Sequence, residues 1–261
     1  MVRIVSWNIR AGGGQRATGI AEAIVSLSPD IAVLQEFRGT PPSEALKANL
    51  VAAGLVHTWS TASSAVPAAN ATLIASRLPG RRVTLRSRAD EPLRWSAVEV
   101  VGLRLLGVHV PNEHTGRKWP FLESLLGVAR SWRRHEALII GDTNSGRPGI
   151  DEESAVFGPR YTAWFDRLEA LGWRDSFRHL HAGRREFTWY SPNGGNGFRL
   201  DEAFVSPRLA PGTRHVEHRW MARPGRPARR DGLSDHAALV VDIDLLQRTG
   251  ITSEGSDPGH G

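Results

Sequence analysis

The chain has 261 residues, 40% hydrophobic and 23% charged, enough for one large domain or two small ones with a full core. It has no cysteine, which excludes disulfides and thiolate metal sites and leaves any metal to oxygen or imidazole ligands, favouring magnesium or manganese over structural zinc. The net charge is +6, and of the 33 basic residues only Lys47 and Lys118 are lysine; this suits a polyanionic partner, nucleic acid first, although a solubility charge or an arginine-biased composition reads equally well from the counts alone.

MVRIVSWNIR lacks the apolar core of a secretory leader, and no apolar run approaches a membrane span. The chain therefore reads as a soluble, cytoplasmic monomer. Val2 to Ile9 is predicted as a strand, with Asn8 at its end. Gly12, Gly13 and Gly14 break it, but GxxxxGK[ST] is absent, so they form no phosphate loop. A helix is expected from about Thr18 to Leu27, with Ile20, Ile24 and Leu27 on one face. Ile31 to Leu34 reads as a buried strand, and Glu36 follows it. Pro41, Pro42 and Ser43 open a helix that Gly54 closes, with Ser43 as its expected N-cap. Val56–Ser60, Ala71–Ala75, Arg82–Leu85, Trp95–Val100 and Leu103–Val110 read as strands separated by turn-type or charged residues.

A helix from about Trp119 to Trp132 precedes the strand that begins at Ala137. Arg160 to Leu171 is helical, and Gly172 stops it. Phe187–Tyr190, Arg199–Val205, Val216–Trp220 and His236–Ile243 are further strands, and Asn193–Gly197 is a glycine-rich turn. Met221–Gly232 reads as a Pro/Arg/Gly loop. Gln247–Gly261 has no periodicity and is expected to be a disordered tail, leaving one domain over 1–246. Many strands follow one another without a crossover helix. That pattern argues for an α/β (α+β) fold of mixed or antiparallel sheets covered by a few helices.

The stretch Ala137–Gly146, ALIIGDTNSG, carries the first chemical signal. A short apolar run stops at Gly141 and delivers Asp142 and Asn144, which lie two apart and can project to one side. Taken alone, this is equally an Asx-rich turn in which Asp142 only caps the chain. Other polar residues fall the same way. Asn8, Glu36, His109 with Asn112, and Asp142 with Asn144 each end a strand. Asp201 lies in one, and Asp235 and His236 open the last. Gathered along one rim of packed sheets, they would share a cleft.

The motifs SWNI (Ser6–Ile9), LQE (Leu34–Glu36), HVPN (His109–Asn112), GDTN (Gly141–Asn144), RLD (Arg199–Asp201) and SDH (Ser234–His236) occur in this order. The chain thus resembles the endonuclease/exonuclease/phosphatase superfamily. FTWYSPNGGNGFRLDEAFVS (Phe187–Ser206) is most similar to the exonuclease III and apurinic endonuclease branch. GDTN is also similar to the tyrosyl-DNA phosphodiesterase branch, and His109 stands where apurinic enzymes usually carry Tyr. Arg10 stands where those enzymes carry an acid, which leaves Glu36 as the main expected metal ligand.

The resemblance implies a four-layer sandwich, two packed mixed β-sheets flanked by helices. It also implies a magnesium- or manganese-dependent phosphodiesterase acting on DNA, in the manner of exonuclease III or a DNase. Glu36 is implied to hold the ion (Mg2+ or Mn2+), with Asn8 and Asp235 as nearby contacts. Asp142 is implied to orient or deprotonate the attacking water. Asn144 and Asn112 would bind the phosphate, as would His236, polarised by Asp201. His109 would replace the family's tyrosine. Phe198 is a candidate for stacking on substrate, Arg199 for binding it, and Trp189 is expected in the core. Asp175 reads as structural. Arg223, Arg226, Arg229 and Arg230, in the loop before SDH, are expected to track a nucleic-acid backbone. Two other readings stand beside this one: a phosphatase or phosphodiesterase acting on a phospholipid, phosphoinositide or protein–DNA adduct, and a silent member that only binds nucleic acid.

Overall fold

A computed structural model of the chain describes residues 1–222 and 232–245. The arginine loop at 223–231, with Arg229 and Arg230, and the tail expected over Gln247–Gly261 lie outside the described residues. The first half of the chain forms β1 (Val2–Asn8), α1 (Ala17–Ser26), β2 (Ile31–Phe37), α2 (Pro41–Ala52), β3 (His57–Ser60), β4 (Ala71–Ser76), β5 (Gly80–Arg82), β6 (Trp95–Val100) and β7 (Leu103–His109). The second half adds α3 (Lys118–Trp132), β8 (Ala137–Asp142), α4 (Pro159–Ala170), β9 (Arg174–Asp175), α5 (Ser176–Leu180), β10 (Trp189–Tyr190), β11 (Gly197–Phe198), β12 (Asp201–Val205), β13 (Thr213–Arg219) and β14 (Ala238–Ile243).

Two six-stranded mixed sheets result, ordered β13-β14-β1-β2-β4-β3 and β5-β6-β7-β8-β12-β9, with β10 and β11 as a separate ribbon. Each large sheet holds one parallel pair, β1 with β2 and β7 with β8. Strand residues alternate between two apolar layers. On β1, Ile4 faces the core between the sheets, whereas Val5 and Trp7 face the layer of α1 and α2. On β8, Leu138 and Ile140 face the inter-sheet core, whereas Ala137 and Ile139 face α3 and α4. Strands buried on both faces need apolar residues at nearly every position, hence the unbroken runs IAVL and ALII in the sequence. The layers are helices, sheet, sheet, helices, as the motif resemblance implies.

Two local expectations are corrected. Ser43 is not the cap of α2. Thr40 holds the N-cap position in extended conformation, because Pro41 at the first helical position requires it. Ser43 is buried inside the helix, where its Oγ donates to the Gly12 carbonyl at 3.0 Å. The strand expected at Arg82–Leu85 is instead the exposed edge strand Gly80–Arg82. The helix Ser176–Leu180 is too short to show a period. Asp175 caps it, accepting from the backbone N–H of Phe177 and Arg178 at 2.9 and 3.2 Å.

Candidate active site

Parallel pairing places the C-terminal ends of β1 and β2 on one rim, and those of β7 and β8 likewise. The antiparallel neighbours β14 and β12 begin on the same rim. Register then does the fine placement: Asp142 sits opposite His109 on β7 and opposite Asp201 on β12. Gly141, just before it, has φ of +149°, and a Cβ there would lie 1.9 Å from the Val108 carbonyl oxygen. Only glycine allows the chain to turn Asp142 toward the facing sheet.

Asp142 is buried, and its carboxylate is crowded with partners. Oδ2 accepts from Asn8 Nδ2 at 2.9 Å, and Oδ1 accepts from the Asn144 backbone N–H at 2.8 Å. His109 Nε2 and His236 Nε2 approach Oδ2 at 3.6 and 3.9 Å. Burial pushes the acid up to about 6, against the pull of the His236 charge and the Asn8 hydrogen bond. At neutral pH the group is therefore mostly a carboxylate, but one whose proton affinity suits a base.

His236 bonds through Nδ1 to Asp201 Oδ2 at 2.9 Å. Its carbonyl accepts from Trp7 Nε1 at 2.9 Å, which fixes its backbone. Burial opposes its charged form, but Asp201 and Asp142 outweigh burial and push the imidazole up to about 10. His236 is thus an imidazolium at neutral pH. His109 is the opposite case, held well below 6.5 by burial and by the Arg94 guanidinium, and so neutral. Two histidines a few ångströms from one carboxylate hold different charges because only one has a second carboxylate behind it.

Glu36 has φ of +56° and receives the Ala11 backbone N–H on Oε2 at 2.6 Å; Asn8 Nδ2 lies 3.3 Å from its Oε1. A pocket of about 230 Å³ opens between these groups. Glu36, Asp235, Asp142 and His236 line it, with His109, Asn112 and Asn144. Among the described residues, no three His, Cys, Asp or Glu side chains form a metal cage. Glu36 and Asp235 bring carboxylate oxygens to the pocket, whereas Asn8, expected as a metal contact, turns its amide nitrogen to Glu36 and Asp142 while its Oδ1 accepts from the Arg10 backbone N–H at 3.0 Å. Such a sparse hard-donor set fits a divalent ion that keeps several waters.

The family model for endonucleases, exonucleases and phosphatases matches residues 5–236. The chain belongs to the endonuclease/exonuclease/phosphatase family. Family membership makes it a hydrolase of phosphate esters. A DNA-(apurinic or apyrimidinic site) endonuclease of Dictyostelium discoideum is 22% identical over 94% of this chain and 71% of its own length. Among solved structures, an AP endonuclease from Archaeoglobus fulgidus superposes with a TM-score of 0.78 at 22% identity, covering 94% of this chain and all of that one. A 3' phosphatase from Neisseria, solved with a product DNA hairpin, gives 0.74 at 23% identity over 94% of this chain and all of its own.

Within this family frame, the structure rearranges part of the expected site. Arg199 is not on the surface of the cleft. It is fully buried, with its guanidinium bonded to Asp151 at 2.7 and 3.0 Å and to Asp175 at 2.5 Å, and with Glu202 3.1 Å away. Two acids from remote segments and Glu202 three residues on claim it, which takes its guanidinium away from a substrate. Phe198 is only 8% exposed and packs on Phe157 and Trp189, which removes it from stacking on a base. Trp189, expected in the core, instead lines the pocket, with its Nε1 3.4 Å from Asp235 Oδ2. The Asn144 side-chain amide donates to the Val110 carbonyl at 2.8 Å.

Three residues escaped the sequence reading. Arg94 and Asn70 line the pocket. Lys118 is buried beneath it, donating to the Asn144 carbonyl and, at 2.9 Å, to Tyr161 Oη. Asn144 sits at φ +46°, unusual for a residue with a side chain, and Lys118 bonds the carbonyl of that turn. A lysine at the very start of a helix reads as solvated, and nothing local signals its burial.

Proposed function

We propose that this protein is a divalent-metal-dependent phosphodiesterase that cleaves DNA. The observation that carries the reading is the Asp142 carboxylate, held between neutral His109, charged His236 and Asn8 in the wall of a polar pocket. The apurinic endonuclease and 3' phosphatase relatives supply the choice of DNA, as does the net charge of +6.

In this reading Glu36 holds the ion, with Asp235 lining the same pocket and Asn8 orienting the Glu36 carboxylate. A bound divalent ion supplies charge neutralisation on the phosphoryl oxygens. Asp142 receives a proton from the attacking water as its oxygen bonds to phosphorus. The P–O bond to the departing sugar oxygen breaks in line. The His236 imidazolium, braced by Asp201, neutralises charge on the phosphoryl group, and neutral His109 lies within reach of the same atoms. Asn112 positions the phosphate.

The test is a substrate panel on one purified sample: plasmid, an abasic duplex, a duplex with a terminal 3' phosphate, a phosphoinositide and a phosphotyrosyl-DNA adduct. Each is assayed with magnesium, with manganese and with EDTA. Metal-dependent DNA cleavage supports the reading. Turnover of the lipid headgroup without any DNA cleavage overturns it, as does binding of DNA without hydrolysis.

A further inference from the structure

The catalytic pocket contains a guanidinium, that of Arg94. Arg94 closes the short turn Pro92–Arg94, just before β6. Antiparallel register sets Trp95 opposite Val108, so the next step along each strand brings Arg94 level with His109. Its Nη1 lies 3.0 Å from His109 Nδ1 and 3.2 Å from Nε2. Near-equal distances to two ring nitrogens whose lone pairs diverge place the guanidinium over the ring face, where a neutral imidazole attracts a cation and an imidazolium would repel it. Arg94 is therefore held in place by a neutral partner that cancels none of its charge.

Its carboxylate partner is Glu91, whose Oε2 is 3.9 Å from Nε, and Arg117 also pairs with Glu91. The buried arginines of this protein look different. Arg199 is chelated by three carboxylates, and Arg178 pairs directly with Asp151. The Arg94 side chain is only 19% exposed, and it lines the pocket. Desolvating a cation without a close counter-charge costs free energy, and an arriving oxyanion offsets that cost. The planar fork of arginine matches two phosphate oxygens. Asn70 lines the same pocket, and its side-chain oxygen accepts from Arg38 Nε at 3.0 Å, which leaves its amide N–H groups as donors there.

We propose that Arg94 is a phosphate ligand of this site, binding a non-bridging oxygen of the scissile phosphate on the His109 side of the pocket with Asn70 as a neighbouring donor. The proposal rests on the phosphoester-hydrolase reading. It assigns a role in substrate binding to a position that none of the six motifs contains.

The experiment compares wild type with Arg94→Gln, Arg94→Lys and Arg94→Ala in the presence of magnesium. Loss of one such donor is expected to lower kcat/KM by about 10²-fold in Arg94→Gln. Inhibition by inorganic phosphate should weaken by about tenfold, because the probe loses the same contact. Arg94→Lys should recover part of both, and millimolar guanidinium should restore activity to Arg94→Ala. A residue that merely propped His109 would lose activity with phosphate inhibition unchanged and no guanidinium rescue; that result overturns the proposal, as do wild-type kinetics in Arg94→Gln. If wild type cleaves no phosphoester at all, the functional reading fails first. Calorimetric titration with inorganic phosphate then still tests Arg94, and equal affinity for wild type and Arg94→Gln rejects it.

Discussion

Asn8 Nδ2 donates to Asp142 Oδ2 across 2.9 Å, joining the ends of two strands that belong to different sheets and lie 134 residues apart. Asp142→Asn keeps an acceptor for this bond but cannot take a proton. Turnover should fall by about 10²–10⁴-fold, the usual contribution of a positioned base. Because burial pushes the native acid up to about 6, its charge is a burden to the fold at neutral pH. The melting temperature of Asp142→Asn at pH 7 should therefore equal or exceed that of wild type. Wild-type turnover, or a clear drop in Tm, would contradict the assignment.

The His236–Asp201 pair makes a pH-dependent contribution to stability. The imidazole is pushed from 6.5 up to about 10 in the fold, so the contribution is complete below pH 6.5 and is lost as pH rises through about 10. Thermal melts of wild type and Asp201→Asn in EDTA, taken from pH 6 to pH 10.5, should show a Tm gap that narrows toward the alkaline end. A gap that stays constant would mean that His236 is not held as an imidazolium.

Lys118 bonds the Asn144 carbonyl, and a role in the site through that turn is testable. Lys118→Met removes the donor to the Asn144 carbonyl while filling similar volume, and removes a buried charge that burial already lowers to about 8. The expected result is a kcat lowered by about tenfold from a loosened Asn144 turn, with KM little changed and stability retained. A variant that alters KM alone would place Lys118 in substrate binding instead.

Arg199 tests the correction made by the structure. Arg199→Met leaves Asp151, Asp175 and Glu202 buried without their shared cation. Breaking such a network typically costs about 3–5 kcal/mol. Urea unfolding should register that loss, while KM for DNA at a permissive temperature should stay near wild type. A large KM effect without destabilisation would return Arg199 to the cleft.

Much of the rim was legible in the primary structure. Asn8, Glu36, His109 and Asp142 each stand at or near the end of a largely apolar stretch, where a buried strand most readily places a charged or strongly polar group. Arg94 and Lys118 were not legible. Arg94 follows Pro92–Leu93 with no period around it, and its significance depends on which strand pairs with β6. Arg199 misled for the converse reason. It stands two residues before Asp201, yet its partners Asp151 and Asp175 come from segments 48 and 24 residues away, and their convergence leaves no local mark. An arginine without visible partners reads as surface, because burying one unpaired is prohibitive.

The sequence by itself determined the alternation that gives each strand two apolar faces, the breaks that end the strands, and the order of the polar groups at those breaks. Tertiary structure decided which of those groups meet. The register of β7, β8 and β12 sets His109 and Asp201 on either side of Asp142, and the stacking of the two sheets brings Asn8 and His236 to it. Charge state follows from that meeting. His236 is charged because a second carboxylate lies behind its ring and outweighs burial, and His109 is neutral because burial acts on it with a guanidinium beside it; neither neighbour is close in the chain.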